Sequence, residues 1–206
     1  MIGCMARVGK RTAPGGKPAN RLRIIGGSWR GRPLAFPPVE AVRPSPDRVR
    51  ETLFNWLQGS IVGARCLDLF AGSGALGFEA LSRGASHVTF VDREPRLGRH
   101  LTETLRRLGA DSAVVVVQDA TAFLRSPPQR FDVVFLDPPF ASGLLQEVCN
   151  ALTHDWLASE AWVYIESPAD QPLPVLPAGW SVHRTKRAGQ VGYHLLRVAP
   201  AHERLL

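Results

Sequence analysis

Residues 66–84 read CLDLFAGSGALGFEALSRG, and this stretch predicts an α/β fold. The apolar run Cys66–Phe70 is typical of a short buried strand, and it leads into a glycine turn. A helix then follows to about Arg83, where Gly84 ends it. A buried strand that passes through a glycine turn into a helix is the opening unit of a parallel sheet.

The residues after Gly84 repeat this alternation of strands and helices. Pro95 opens one amphipathic helix, and another is predicted near Leu144–Leu152. Further strands are predicted at His87–Asp92, Ala113–Asp119, Phe131–Asp137 and Trp162–Glu166. Continuous apolar strands between amphipathic helices predict a parallel sheet that is covered on both faces. Trp180–Lys186 and Gln190–Val198 are close enough in sequence to form a hairpin, which would make the sheet mixed.

The N-terminal part of the chain has a different pattern. We predict that residues 1–20 are a disordered basic leader, that residues 21–60 form an extension, and that residues 61–200 form the main domain. The extension should contain a β-hairpin over Arg21–Phe36, with Gly26 and Gly27 between its strands, followed by a helix. Ser45 is predicted to cap that helix, with Pro46 in its first turn.

The positive charge of the chain is concentrated at its N-terminal end. Residues 1–50 hold 11 Lys or Arg against two acids, whereas the other 156 residues hold 14 against 16. Such a local surplus attracts polyanions, and nucleic acid is the commonest one in the cytoplasm. A solvated tail would explain residues 1–20 alone. From Arg21 onward, basic residues alternate with apolar ones, which indicates ordered structure that presents arginines.

Composition excludes several other classes of protein. No apolar run approaches the roughly 18 to 20 residues of a membrane span, so we expect no membrane partner. The start of the chain lacks the apolar core of a secretory signal. Three scattered cysteines and six histidines without ligand spacing predict neither a disulfide framework nor a metal site. We therefore expect a cytoplasmic protein that binds no metal.

The glycine turn predicts a cofactor site at the carboxyl end of the first parallel strand, where its glycines would let a ligand approach the backbone. Gly72, Gly74 and Gly77 satisfy the G-x-G-x-x-G pattern of dinucleotide-binding proteins, so an NAD enzyme is an alternative. No Lys or Arg lies between Ala71 and Phe78, which argues against a phosphate-binding P-loop.

Three acids at the ends of three successive strands favour a methyl donor over NAD. Asp92 can accept hydrogen bonds from ribose hydroxyls in either kind of site. Asp68 would repel a pyrophosphate but suits a cofactor that carries an ammonium and a sulfonium. Asp119 is placed to meet the amino group of an adenine. Each acid alone is also explained as a helix cap. Together they indicate S-adenosylmethionine.

Asp137-Pro138-Pro139-Phe140 follows the strand that ends at the same edge of the sheet. Two prolines fix the backbone and remove two N–H donors, so the loop presents acceptors in a stiff arc. The Asp137 carboxylate and the Pro138 carbonyl can each accept a hydrogen from one –NH₂ group, and Phe140 can stack on the base. The alternative is a rigid proline turn that buries a phenylalanine. The loop therefore predicts methyl transfer to an exocyclic base nitrogen, with positioning as the main source of rate.

The stretch 68–140 resembles the class I Rossmann-like methyltransferases, and its D-P-P-F resembles the [DN]-P-P-[FYW] loop of the amino-methyltransferases. RIIGGSWRGR (23–32), RPSPDRVRETLFNWL (43–57) and LDLFAGSGALGFEALSRGA (67–85) resemble a narrower family. That family is the D-type 16S rRNA guanine-N2 methyltransferases of bacteria. The resemblance covers about Arg21 to Val198, and Ser45 replaces the threonine that is usual after the Arg-Pro pair.

The resemblance implies a seven-stranded, mostly parallel sheet with an antiparallel last strand, S-adenosylmethionine as cofactor, and 16S rRNA of the assembling small ribosomal subunit as partner. The implied catalytic residues are Asp137, Pro138, Pro139 and Phe140. The implied cofactor-binding residues are Asp68, Phe70, Ala71, Gly72, Ser73, Gly74, Asp92, Arg93, Asp119 and Ala120. The residues expected to contact RNA are Arg23, Arg30, Arg32, Arg43, Ser45, Arg48, Lys186 and Tyr193. We expect a monomer.

Three other functions remain open at this point. An adenine-N6 methyltransferase acting on DNA uses a similar loop and would give a different methylated nucleoside. An NAD-dependent oxidoreductase would bind the other cofactor. A non-catalytic RNA-binding module would have no need of the three acids.

Overall fold

The computed structural model describes residues 20–39 and 45–199, which form a two-stranded hairpin and a seven-stranded mixed sheet with helices. The strands are β1 (Asn20–Arg23), β2 (Pro33–Phe36), β3 (Arg65–Asp68), β4 (His87–Asp92), β5 (Ala113–Val117), β6 (Phe131–Leu136), β7 (Leu157–Pro168), β8 (Trp180–Ala188) and β9 (Val191–Val198). The helices are α1 (Asp47–Trp56), α2 (Ala75–Ser82), α3 (Pro95–Leu108), α4 (Ala120–Phe123) and α5 (Leu145–Leu152).

The large sheet has the strand order β5-β4-β3-β6-β7-β9-β8. The first five strands of that order are parallel, and β9 runs antiparallel to both β7 and β8. The predicted α/β fold, a mostly parallel sheet with an antiparallel last strand, is confirmed. The chain leaves β3 toward β4 on one side, and β6 pairs on the other side of β3. At such a switch point the loops diverge and leave a crevice for a ligand.

Side chains alternate between the two faces of the sheet along each strand, so the core consists of one buried cluster on each face. Cys66 faces a cluster that includes the hairpin, α1, α2 and α3, whereas Leu67 faces a cluster with α4 and α5. Because both faces are covered, the buried positions of the central strands are mostly apolar, which explains why their sequences contain continuous apolar runs.

Several element boundaries differ from those predicted. Strand β3 ends at Asp68 and not at Phe70, because the chain turns where Leu69 and Ala71 bond to the neighbouring strands. Strand β7 begins at Leu157, five residues before its apolar core. The hairpin is confirmed, but its connection is longer than Gly26 and Gly27 and includes one turn of 3₁₀ helix at Gly27–Trp29.

The proposed division into a leader, an extension and a main domain stays a prediction. The predicted leader, residues 1–20, lies outside the described residues except for Asn20, which begins β1. Leu34 and Leu53 of the predicted extension belong to the same buried cluster as Phe90 of the predicted main domain.

Buried polar contacts attach the hairpin loop to α2. The Glu79 carboxylate accepts hydrogen bonds from the Ile25 and Gly26 N–H groups, both at 2.8 Å. Ser82 donates its hydroxyl to the Gly26 carbonyl at 2.6 Å. At Gly27, whose φ is +76°, a Cβ would lie 1.8 Å from the Ser82 carbonyl oxygen, so only glycine fits there. These contacts hold the hairpin in a fixed position on the sheet.

Among the helices of the described residues, none combines the length and apolarity that crossing a membrane requires.

Candidate active site

Five acids lie at the carboxyl ends of the five parallel strands. Asp68 and Asp92 are the last residues of β3 and β4, and Asp119 and Asp137 follow β5 and β6 closely. Glu166 lies two residues before the end of β7. Because the strands are parallel neighbours, the five carboxyl groups share one edge of the sheet.

Asp92 shapes the glycine turn. One of its carboxylate oxygens accepts the Gly72 N–H at 2.8 Å and the other accepts the Glu94 N–H at 2.8 Å. Phe70 and Gly72 are half-buried, and the neighbouring Ala71 and Ser73 are buried. The structure therefore joins the predicted turn residues to the predicted ribose-binding acid by direct hydrogen bonds.

Two of the three glycines are required by internal packing. A Cβ at Gly74, where φ is +77°, would lie 2.4 Å from the Phe78 ring, and one at Gly77 would lie 2.2 Å from the Phe90 ring. Gly77 is required by the tight contact of α2 with β4, and Gly74 by its contacts with Phe78 and Leu101. The G-x-G-x-x-G pattern alone therefore does not identify a cofactor. The expectation that Gly74 lets a ligand approach the backbone stays a prediction.

Asp68 is a buried acid, and no ion pair within the described ranges involves it. Its carboxyl accepts the Gly77 N–H at 3.0 Å. Burial above all, opposed by the Gly77 N–H and helped by the charge of Asp92, raises its pKa to about 7. A cation beside it would restore its charged form. The ammonium and sulfonium of S-adenosylmethionine are such cations, so the residues present fit that cofactor.

Asp119 caps α4. One carboxylate oxygen accepts hydrogen bonds from the Thr121 hydroxyl at 2.8 Å, the Thr121 N–H at 2.9 Å and the Ala122 N–H at 3.3 Å. These bonds, that from the Thr121 hydroxyl above all, hold the Asp119 pKa below its usual value, and the charge of the exposed Arg93 adds to this effect. Ala120 is buried at the start of α4. The helix-cap interpretation is correct for Asp119, and its predicted contact with an adenine stays a prediction.

The Asp-Pro-Pro-Phe loop presents its aromatic ring to solvent. Pro138 is buried and Pro139 is exposed, and Phe140 is 44% exposed. The alternative of a turn that buries the phenylalanine is therefore wrong. An exposed ring three residues after the half-buried Asp137 could hold a base by stacking while hydrogen bonds orient its amine.

Ser45 lies beside the Asp137 carboxyl and does not cap α1. Its hydroxyl donates to a Glu166 carboxylate oxygen at 2.5 Å and lies 3.5 Å from an Asp137 oxygen, whereas α1 begins after Pro46 without a side-chain cap. The Tyr164 hydroxyl donates to the same Glu166 oxygen at 2.8 Å. The predicted cap role of Ser45 is wrong because its hydroxyl is occupied by this tertiary contact.

Burial raises the pKa of both carboxyl groups of this network. For Asp137, burial is the largest cause, followed by the charges of Glu166 and Asp68, while the Ser45 hydrogen bond opposes them. Burial likewise raises the pKa of Glu166 against the bonds from Ser45 and Tyr164. Sequence reasoning did not single out Glu166 or Tyr164. A signal was present in the sequence, because Glu166 is an acid that follows the apolar core of a fifth parallel strand.

The residues expected to contact RNA are not all on the surface. The exposed ones are Arg23, Arg30, Arg32, Arg48 and Lys186. Arg43 lies outside the described residues. Tyr193 is buried and its ring stacks on Trp56 at a centroid distance of 5.5 Å, so the expected contact of this ring with RNA is wrong. Sequence reasoning missed Arg107, which lines a cleft together with Arg32.

Comparison with known proteins gives consistent results. The model of the family described as Conserved hypothetical protein 95 matches residues 22–197. The chain is 51% identical over 178 residues to "Ribosomal RNA small subunit methyltransferase D" of Escherichia coli (strain K12), which covers 86% of this chain and 90% of that protein. It is 44% identical to the protein of the same name from Haemophilus influenzae, over 84% of this chain and 92% of that protein.

A solved structure is similar over the same region. The methyltransferase candidate yhhF from Escherichia coli superposes with a TM-score of 0.82 at 49% sequence identity. The match covers 87% of this chain and 99% of that one.

Proposed function

The chain belongs to the family described as Conserved hypothetical protein 95, and on that basis we propose that it methylates the exocyclic N2 of one guanine in 16S rRNA. It is an rRNA methyltransferase that depends on S-adenosylmethionine. The relatives whose names contain the words small subunit methyltransferase support the choice of RNA. The observation that supports an exocyclic amine as the methyl acceptor is the Asp137–Phe140 loop, in which Asp137 is half-buried and the Phe140 ring is exposed.

Asp68, Asp92 and the turn between them are the groups proposed to hold the cofactor, which supplies a methyl group on a sulfonium. The buried Asp68 carboxyl would neutralise a cation. Asp92 already fixes the turn through Gly72, and its accepting oxygens suit ribose hydroxyls. Asp119, with one oxygen committed to α4, would meet the adenine edge with the other.

The chemical contribution of the chain is mainly to position the amine. The Asp137 carboxylate and the Pro138 carbonyl would each accept one hydrogen of the –NH₂ group, so that its lone pair points at the donor methyl. Phe140 would stack on the guanine and fix the plane of the base. Holding both reactants in line converts an encounter into an intramolecular step, which is where most of the rate would arise.

The exposed arginines of the hairpin and of α1 would hold the rRNA backbone. Arg23, Arg30, Arg32 and Arg48 are exposed, and Arg107 extends this basic surface onto α3. Phosphate contacts of this kind supply affinity and not base choice. We propose that a monomer acts in the cytoplasm on the assembling small ribosomal subunit.

The identity of the methylated nucleoside tests this proposal. The purified chain would be incubated with S-adenosylmethionine labelled at its methyl group and, in parallel, with naked 16S rRNA, small ribosomal subunits and duplex DNA. After digestion to nucleosides, the label should elute as N2-methylguanosine from one of the two ribosomal substrates. Label in N6-methyladenine from the DNA, with none in RNA, would favour the alternative of a DNA methyltransferase.

A further inference from the structure

The Ser45 hydroxyl lies between two carboxyl groups on neighbouring strands and has only one proton to donate. It donates to Glu166 at 2.5 Å, and its distance of 3.5 Å from Asp137 is too long for a second strong bond. The oxygen of Ser45 therefore turns a lone pair toward Asp137. A protonated Asp137 would donate to that lone pair and complete a chain of hydrogen bonds from Asp137 to Glu166.

Glu166 is built to accept protons. It is only 4% exposed, and one of its oxygens accepts both the Ser45 and the Tyr164 hydroxyls. An oxygen that accepts two hydroxyl donors carries no proton of its own. No ion pair of the described residues involves Glu166.

We propose that Glu166, acting through the Ser45 hydroxyl, is a positioning residue that sets the proton affinity of Asp137 and receives the proton that Asp137 takes from the exocyclic amine. This inference rests on the proposed function, in which Asp137 faces that amine. It assigns a role to two residues that the proposed function does not use.

The proton balance of the step is complete within these groups. Methyl transfer forms an N–C bond as the S–C bond of the sulfonium breaks, with its electron pair staying on sulfur, and it leaves the nitrogen with one proton more than the product holds. The Asp137 carboxylate takes that proton, so an N–H bond breaks and an O–H bond forms. Asp137 then donates to the Ser45 oxygen as Ser45 releases its own proton to Glu166. Asp137 is again a carboxylate, Ser45 is again a hydroxyl, and Glu166 holds the proton until it passes to solvent.

The charges around Asp137 determine the direction of the expected shift. The charge of Glu166 on β7 raises its pKa, as does that of Asp68 on β3. The Tyr164 hydroxyl faces Glu166, and Arg50 of α1 donates to the Ser45 backbone carbonyl at 3.3 Å. Removing the Glu166 charge should therefore lower the Asp137 pKa.

The test is the pH dependence of kcat for three single variants against the wild type, with rRNA and S-adenosylmethionine saturating. Glu166→Gln keeps an acceptor for Ser45 but removes the charge. It should lower kcat about tenfold, which is below the usual size of general acid–base effects. It should also move the acid limb of the profile of kcat against pH to lower pH. Ser45→Ala breaks the chain of hydrogen bonds between Asp137 and Glu166 and should lower kcat by a similar factor. Ser45→Thr restores the hydroxyl and should reproduce the wild-type profile.

A lower kcat in both of the first two variants, with the acid limb of Glu166→Gln moved to lower pH, is the expected result, since a purely structural role would change thermal stability and leave the acid limb unmoved. An acid limb of Glu166→Gln that coincides with that of the wild type would overturn the inference.

A second readout separates this inference from the proposed function. The side-chain carboxyl of Asp137 would be titrated by ¹³C NMR in the protein alone, with its signal assigned by its loss in Asp137→Asn. If the wild type methylates no RNA, the proposed function fails, and this titration alone decides whether Asp137 and Glu166 are coupled. A titration midpoint that falls in Glu166→Gln supports the coupling, and an unchanged midpoint overturns it.

Discussion

Two groups of buried carboxylates lie close together in this chain, and they differ in how their charge is compensated. Glu79 of α2 is fully buried, yet Arg83 donates to it at 2.7 Å and the Arg50 guanidinium lies 3.6 Å away. Two backbone N–H groups complete its hydrogen bonds. Asp68 and Glu166, also buried, have only uncharged donors as hydrogen-bond partners.

The difference separates a structural acid, Glu79, from Asp68 and Glu166, for which we propose functional roles. A buried carboxylate with cations and N–H donors around it holds elements together, as Glu79 holds the hairpin on α2. A buried carboxylate without a cation destabilises the fold, and the usual reason for keeping one is that a ligand or a reaction supplies the missing charge. Arg50 lies next to both groups, because it reaches Glu79 and also donates to the Ser45 carbonyl.

Removing the Asp137 carboxyl should affect activity far more than stability. We expect Asp137→Ala to lower kcat by about 10³-fold, because positioning and electrostatic effects of that size depend on it. The affinity for S-adenosylmethionine, measured by calorimetry, should stay within about twofold of the wild type, since a factor of two is only about 0.4 kcal/mol. Asp132→Ala is the matched control, because Asp132 lies at the opposite end of the same strand, where it accepts the Arg65 N–H. Equal turnover in both variants would remove Asp137 from the mechanism.

Removing the charge of Glu79 should affect stability far more than activity. Glu79→Gln leaves two arginines without their buried partner, and we expect the free energy of unfolding to fall by about 3 kcal/mol. Urea unfolding measures this loss, with Glu103→Gln at an exposed position of α3 as the control. If Glu79→Gln were no more destabilising than the control, the assignment of a structural role to Glu79 would be wrong.

The fold could be predicted from the sequence because both of its signals are local. Apolar runs such as Phe131–Leu136 are continuous since both faces of the sheet are covered, and glycines mark the turns between elements. The acids at the strand ends could be predicted for the same reason, because the position of Asp68 or Asp92 in its strand determines which edge it occupies.

Tertiary contacts account for what the sequence did not reveal. Ser45 stands where a helix cap is expected, and its hydroxyl is taken by Glu166, 121 residues away in the chain. Glu79 stands in a helix among alanines and leucines, and nothing nearby in sequence shows that the hairpin covers it. The Tyr193 ring is buried by Trp56 of α1, a contact that no local pattern indicates.

The free energy of unfolding of Asp68→Asn at pH 8, with and without S-adenosylmethionine, tests the distinction between the two groups most directly. Because burial raises the Asp68 pKa from 3.8 to about 7, its contribution to stability is full below pH 3.8 and is lost as the pH rises through 7. The amide cannot ionise, so without the cofactor the variant should be more stable than the wild type by about 2 kcal/mol, less than the full pKa shift implies because the site can relax.

At a cofactor concentration of one hundred times its Kd, the wild type should gain about 2.7 kcal/mol, and the variant much less. A variant that is less stable than the wild type without S-adenosylmethionine, or that gains as much from it, would contradict the view that Asp68 is kept for a cationic ligand.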